Sequence, residues 1–153
     1  QPHCHVCKLI WGEESLPEAI QAALAENPNG AQSGNSSSNV LVTGADIVYR
    51  QNLFEPLLKT LRQLATFFKN ITFLFSSQSI RSHLQEFWDL SRREGWRVIP
   101  RATVLVSEDP SAIPVLQEEF EERSTTDDKY DPWEMVRDKR APGIVIVYEL
   151  ILL

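Results

Sequence analysis

The sequence has little cysteine and no long apolar run, and each shortage excludes something. Cys4 and Cys7 are its only thiols. Two cysteines three residues apart, with none downstream, make no disulfide framework, so a reducing compartment is the default expectation. The spelling HCHVC invites a zinc reading, but no second Cys or His pair follows to complete a tetrahedral site. Read as a strand, the segment points Cys4 and Cys7 to opposite faces, which is poor for shared coordination. A redox Cys-x-x-Cys wants a helix start after it, and none follows. Small buried thiols in a strand are therefore expected, with no metal. No apolar run reaches the roughly 18 residues of a membrane helix, and no secretory signal is visible.

What is present suits one globular domain. The chain has 153 residues, 42% apolar and 9% aromatic, enough to build a core and too aromatic for disorder. The net charge is −6, and residues 107–140 carry all of it, with eleven acids against five bases. Such a block disfavours nucleic acid. It suits a solvated insertion, or a surface that attracts a basic partner.

Periodicity predicts the elements. Val6 to Trp11 reads as a short strand ended by Gly12. Leu16 to Ala25 has helical spacing, with Pro17 near its start. Residues 27–39 are polar and low in complexity, a flexible loop. Val40 to Val48 is apolar enough for a strand buried on both faces. Residues 52–69 repeat Leu and Phe at the helical period, with Asn52 and Glu55 as a partial capping box and Pro56 in the first turn. Ile71 to Phe75 is a second buried strand. Ser82 to Arg93 is an amphipathic helix stopped by Gly95. Trp96 to Val106 is extended, but Pro100 demotes it to an edge or broken strand. A helix is expected around 111–123, a short one near Pro132 to Lys139, and a closing strand over Gly143 to Leu152. Strands alternating with helices predict an α/β fold with a mostly parallel sheet.

The stretch NVLVTGADIVYR, residues 39–50, admits two chemistries. Its first half resembles the phosphate turn of short-chain dehydrogenases, T-G-x-x-x-G-x-G. Thr43 and Gly44 fit, but Val48 and Arg50 stand where glycines must let the backbone approach a pyrophosphate. The likeness ends after Ala45.

The other half belongs to a longer pattern. GADIVYRQNLFEPLLKTLRQL resembles the defining strand and helix of the Asp-x-x-Tyr protein methyltransferases, seven-strand enzymes that use S-adenosyl-L-methionine and mostly methylate lysine. CKLIWGEESLPEAI resembles the family's third strand with its Trp-Gly pair. ITFLFSSQSIRSHLQEFWDLSRREGWRV resembles its fifth strand, next helix and sixth strand, and GIVIVYELILL its last strand. The resemblance covers most of the chain outside a helical acidic insertion at 107–142. It implies a Rossmann-like sheet of strand order 3-2-1-4-5-7-6, methyl transfer to a lysine-bearing protein substrate, a chain that is monomeric when full length, and a cytoplasmic or nuclear location. No nucleic acid or membrane partner is implied.

The resemblance also implies roles. Asp46 and Tyr49 match the motif and would be the catalytic pair. The carboxylate would help hold a cationic amine, and the phenol would offer a ring face and an orienting hydroxyl. Trp11, Gly44, Ala45 and Asp46 would border the cofactor. Each has a plainer alternative: Trp11 as a core side chain, Gly44 and Ala45 as tight strand packing, Asp46 as a strand-end acid capping a turn. Gln78 and Arg81 fall on the same edge of the sheet, as substrate contacts or as surface polarity. His3, His5 and His83 show no acid at useful spacing, so no catalytic histidine is assigned.

The family's first strand, with its glycine-rich turn, and its second, with a ribose-binding acid, have no counterpart here. The expectation is the C-terminal half to two-thirds of an enzyme, with strands 1 and 2 missing and little grip on the cofactor when alone. The competing expectations are a non-catalytic module that holds a basic partner through residues 107–140, and the same fold methylating a small amine or a histidine.

Overall fold

The computed structural model describes residues 6–25, 40–68, 70–107, 111–120 and 131–153. Among them are four α-helices: α1 (Glu18–Ala25), α2 (Phe54–Phe67), α3 (Leu84–Arg93) and α4 (Pro132–Val136). The five strands are β1 (Val40–Ala45), β2 (Ile71–Gln78), β3 (Trp96–Leu105), β4 (Val115–Glu119) and β5 (Ile144–Leu152). The chain divides into two units, residues 1–40 with 52–71, and residues 41–51 with 72–153. The polar loop expected at 27–39 lies outside the described residues, as does Cys4.

In the first unit, α2 buries Phe54, Leu57, Leu58, Thr60 and Leu61 on one stripe, as its 3.6-residue repeat requires. The expected capping box is not formed. Asn52 lies in a 3₁₀ turn, Gln51–Leu53, and the helix starts without a side-chain cap. Pro56 falls in the first turn, where its missing N–H costs nothing. The strand expected over Val6 to Trp11 is absent. Those residues are irregular, Val6 is 96% exposed and Cys7 is an exposed free thiol. An extended segment with no ladder partner has nothing to satisfy its backbone groups but water. The chain then turns at Gly12, whose φ of +86° a side chain would resist. Gly12 N–H donates to Thr60 Oγ1 at 2.9 Å, and a Cβ there would stand 3.0 Å from Pro56.

The second unit holds most of the sheet, whose order is β1-β2-β5-β3-β4. Val40 N–H donates to Asn70 C=O and Asp46 N–H to Ser76 C=O, thirty residues apart in both cases, so β1 and β2 run parallel. The ladders β2–β5, β5–β3 and β3–β4 are antiparallel. The expected mostly parallel sheet is thus corrected to a mostly antiparallel one. The alternation of strand and helix was not misleading in itself. Both β2 and β3 are antiparallel to β5, so they share one direction, and β2-α3-β3 is a crossover unit. The closing strand enters the gap between them from the opposite end.

Alternation along the strands sets the core. Phe73, Phe75 and Ser77 of β2 stand opposite Leu150, Tyr148 and Ile146 of β5, all buried. Across β5, Val98 and Pro100 of β3 stand opposite Leu150 and Tyr148. The register then shifts between Pro100 and Ala102, so Thr103, not Ala102, is the next buried residue. That bulge accommodates the proline without dividing the strand. Rings from the helices complete the core. Trp88 of α3 meets Tyr148 edge-on at 5.2 Å and Trp133 of α4 at 5.7 Å between centroids. Such T-shaped pairs add to the area they bury.

Two further elements differ from the sequence reading. β1 ends at Ala45 rather than Val48, and alternates half-buried with exposed residues instead of being buried on both faces. The helix expected over 111–123 is replaced by β4: Pro114 has no N–H for a helix interior, and Val115 to Glu119 pair along Leu105 to Ala102. The described residues of the acidic 107–142 segment therefore include an edge strand and the short helix α4, which agrees with the reading near Pro132. Residues 108–110 and 121–130 of that segment lie outside those described. The Gly95 stop agrees as well. Its φ is +82°, and Gly95 N–H and Glu94 N–H satisfy the carbonyls of Arg92 and Leu90.

Candidate functional site

The carboxyl ends of the parallel pair β1 and β2 are where an open α/β sheet offers loops to a ligand. β1 stops because Asp46 takes φ = +51°, the single non-glycine residue with positive φ among those described. Aspartate tolerates this left-handed conformation better than β-branched or bulky residues do. Its N–H still donates to Ser76 C=O at 2.7 Å. The chain thus leaves the ladder with the carboxylate held at the strand end.

That carboxylate has a partner. Arg81 Nε donates to Asp46 Oδ1 at 3.0 Å and Arg81 Nη2 donates to Oδ2, a two-point fork. Donating to the Asp46 carboxylate raises the pKa of the guanidinium above its ordinary value, against a smaller opposing effect of burial. A second stitch lies beyond it. Gln51 Nε2 donates to Glu86 Oε2, and His83 Nδ1 stands 3.0 Å from the same oxygen. These contacts hold the Glu86 carboxyl below the usual glutamate range, Gln51 contributing most and His83 next. Both stitches join residues 35 apart. Segments 46–51 and 81–86, the second running into the first turn of α3, are therefore bound side by side, and Tyr49, 48% exposed, lies on the first segment between the two stitches.

The loop after β2 is fixed from behind. Ser79, fully buried, accepts from Ala141 N–H at 3.1 Å and donates to Ala141 C=O at 3.0 Å. Arg140 Nε donates to Ser79 C=O at 3.0 Å and Nη2 to Ile80 C=O at 3.2 Å, while its guanidinium lies 5.6 Å over the Trp133 ring. Beneath the site, Tyr148 is buried with its hydroxyl 3.4 Å from Ser77 Oγ. Burial pushes its pKa far up, and the charge of Asp46 adds to the shift.

The structure brings Asp46, Tyr49, Gly44 and Ala45 together on one strand and its loop, and joins Arg81 to them. Gly44 serves packing: a Cβ there would stand 3.0 Å from the Phe75 ring and from the Ile47 Cδ1 methyl. Ala45 is exposed. Trp11 belongs to the other unit, half-buried in the turn before Gly12. Gln78 closes β2 and accepts from Arg81 N–H at 3.1 Å through its backbone. One sequence inference is corrected: His83 does have an acid, Glu86, one helical turn on. The His-x-x-Glu spacing carried that signal. Arg140, 61 residues from its acceptor, left none. Among the described residues, no group of three or more His, Cys, Asp or Glu side chains could hold a metal ion, and no helix is long and apolar enough to cross a membrane. In comparisons with protein-family models, curated proteins and solved structures, none matches this chain.

Proposed function

We propose that this chain is the C-terminal part of an S-adenosyl-L-methionine-dependent protein-lysine methyltransferase of the Asp-x-x-Tyr type. The observation that carries the reading is the strand order. The resemblance expects 4-5-7-6 for the strands at Val40, Ile71, the chain end and Trp96. The sheet runs β1-β2-β5-β3, with β4 added at its edge. Simple alternation of strands and helices does not require the last strand to lie between β2 and β3, so the agreement is informative.

The cofactor would supply an electrophilic methyl group on a sulfonium. The described residues do not by themselves form its cradle, since the space beside Gly44 is filled by Phe75 and Ile47. The roles argued are therefore those toward the amine. Asp46 presents a carboxylate from a fixed backbone and can hold a lysine ammonium by charge and hydrogen bonding until the amine gives its proton to solvent and becomes the neutral nucleophile. Tyr49 offers a ring face, worth about 0.5–2 kcal/mol to a cation. Holding a nucleophile in line is the larger part of what a protein adds to such a displacement.

A second reading is a non-catalytic module that holds a basic partner. The edge strand β4 favours it, because Ile113, Val115 and Leu116 are exposed beside the acid-rich segment. One experiment separates them. The protein, with whatever upstream sequence its reading frame carries, is incubated with radiolabelled S-adenosyl-L-methionine and a protein extract. Labelled lysine that disappears in Asp46→Asn and Tyr49→Phe supports the enzyme. No label, or label indifferent to both substitutions, overturns it.

A further inference from the structure

We propose that Arg81 is an internal occupant of the amine subsite. Its guanidinium rests on the Asp46 carboxylate at the place an alkylammonium side chain takes, and an incoming lysine side chain binds by displacing it. This rests on the amine-binding role given to Asp46 above.

Four observations carry it. First, the backbone that carries the Asp46 carboxylate does not depend on Arg81 for its position, because the turn at φ = +51° and the N–H bond to Ser76 C=O set it. Second, Arg81 covers both carboxylate oxygens with Nε and Nη2. A second cation added on top would leave the site with net positive charge, whereas exchange of one cation for another keeps it neutral. Third, the two side chains are 38% and 37% exposed. The pair is open to water, so its strength is that of a surface ion pair, weak enough for a competing cation to replace. Fourth, the arm can leave without the loop. Ser79, Ile80 and Ala141 are tied by the hydrogen bonds described above, and Arg81 N–H is tied to Gln78 C=O.

The exchange is selective by chemistry. A neutral side chain cannot compensate the carboxylate left by Arg81. An ammonium can, and its alkyl stem then lies beside a loop that carries the exposed Tyr49 ring. Arginine grips a carboxylate at two points where lysine makes one charged contact. The resident therefore raises the threshold for weak or stray cations.

The test is an NMR titration of the chain with Nα-acetyl-lysine methylamide, and with its neutral norleucine counterpart, in the wild type, Arg81→Ala and Asp46→Asn. The lysine probe is expected to shift residues 46–49, to bind Arg81→Ala about fivefold more tightly than the wild type, and to lose binding in Asp46→Asn; the norleucine probe shifts none of them. In the wild type, the Arg81 Nε–H resonance is expected to move toward that of a free guanidinium as the probe binds, which serves if Arg81→Ala does not fold. Equal or weaker binding by a folded Arg81→Ala, an unmoved Arg81 Nε–H at saturation, or no shift at 46–49 in any form overturns the proposal. The titration involves no methyl transfer, so loss of cation exchange with activity intact sinks this inference alone. Cation exchange without activity sinks the enzyme reading alone.

Discussion

Arg140 reaches across 61 residues to donate its Nε–H to the backbone carbonyl of Ser79 at 3.0 Å. It takes the next carbonyl, of Ile80, with Nη2. Two donors on one guanidinium thus close the turn that carries Arg81. Replacing Arg140 by Ala is expected to cost about 1 kcal/mol, since the side chain is exposed and water can take over part of its role. The sharper readout is local. Amide hydrogen exchange at residues 80–83 should quicken while that of β5 stays unchanged. Unaltered exchange at 80–83 would mean the clamp holds nothing.

Gly44 predicts an overpacking effect. The Ile47 methyl is the far end of a flexible side chain and can move. The Phe75 ring is buried, packs on Phe73 and Tyr148, and cannot. Gly44→Ala is therefore expected to destabilise by about 1–3 kcal/mol in urea unfolding. A neutral or stabilising result would show that the strand end has room, and would restore Gly44 as a candidate for close approach by a ligand.

Local pattern in the sequence carried much of this. Leu84, Phe87 and Trp88 fall on one helical stripe, and Phe73, Phe75 and Ser77 on one strand face, so α3 and β2 were legible from spacing. Asp46 and Tyr49 were legible from the motif, and Arg81 from its place just past a strand. The partner of a strand is a different matter. Nothing local in GIVIVYELILL says that it slots antiparallel between β2 and β3. The bulge after Pro100 shifts alternation by one residue, which no period reveals in advance. VLQEE suits a helix or an edge strand equally, and pairing with β3 decided it. The strand expected at Val6 to Trp11 failed for the same reason in reverse: an extended sequence with no ladder partner stays irregular.

The backbone of Asp46 makes a prediction independent of function. Alanine at φ = +51° meets its own carbonyl sterically, whereas Asn tolerates that region much as Asp does. Both substitutions remove the charge that faces Arg81. Asp46→Asn is therefore expected to be more stable than Asp46→Ala by about 1 kcal/mol, measured as the difference in urea unfolding. Equal stabilities would mean that the turn relaxes and that the left-handed conformation is not imposed.

Glu86 should titrate below the usual glutamate range, because Gln51 and His83 both stabilise its charged form. A lowered acid contributes stability that is present above the unfolded-state value and lost as pH falls through the folded one. The loop stitch should therefore loosen as pH falls through the folded-state value, below the ordinary glutamate range. Carbon-13 titration of the carboxyl groups reads this directly. Gln51→Ala removes the larger contribution and should raise Glu86 toward its ordinary value. A Glu86 carboxyl that titrates normally in the wild type would show that the stitch does not persist in solution.

Tyr148 works in the opposite pH range. Its hydroxyl is buried against Ser77, and burial raises its pKa well above that of a free phenol, with Ser77 pulling back only in part. The unfolded chain exposes an ordinary tyrosine, which ionises at about pH 10. Below that pH both states keep the proton and the contribution is fully present. Above it the unfolded state loses a proton that the folded state retains, so stability falls as pH rises. Tyr148→Phe removes this dependence and leaves Ser77 Oγ without that partner, at a cost of about 1 kcal/mol near neutrality. The two stability curves should thus converge between pH 10 and 11, a range about one unit wide set by the free-phenol value. Parallel curves across that range would mean that Tyr148 ionises as readily folded as unfolded, and that water reaches the ring beneath Asp46.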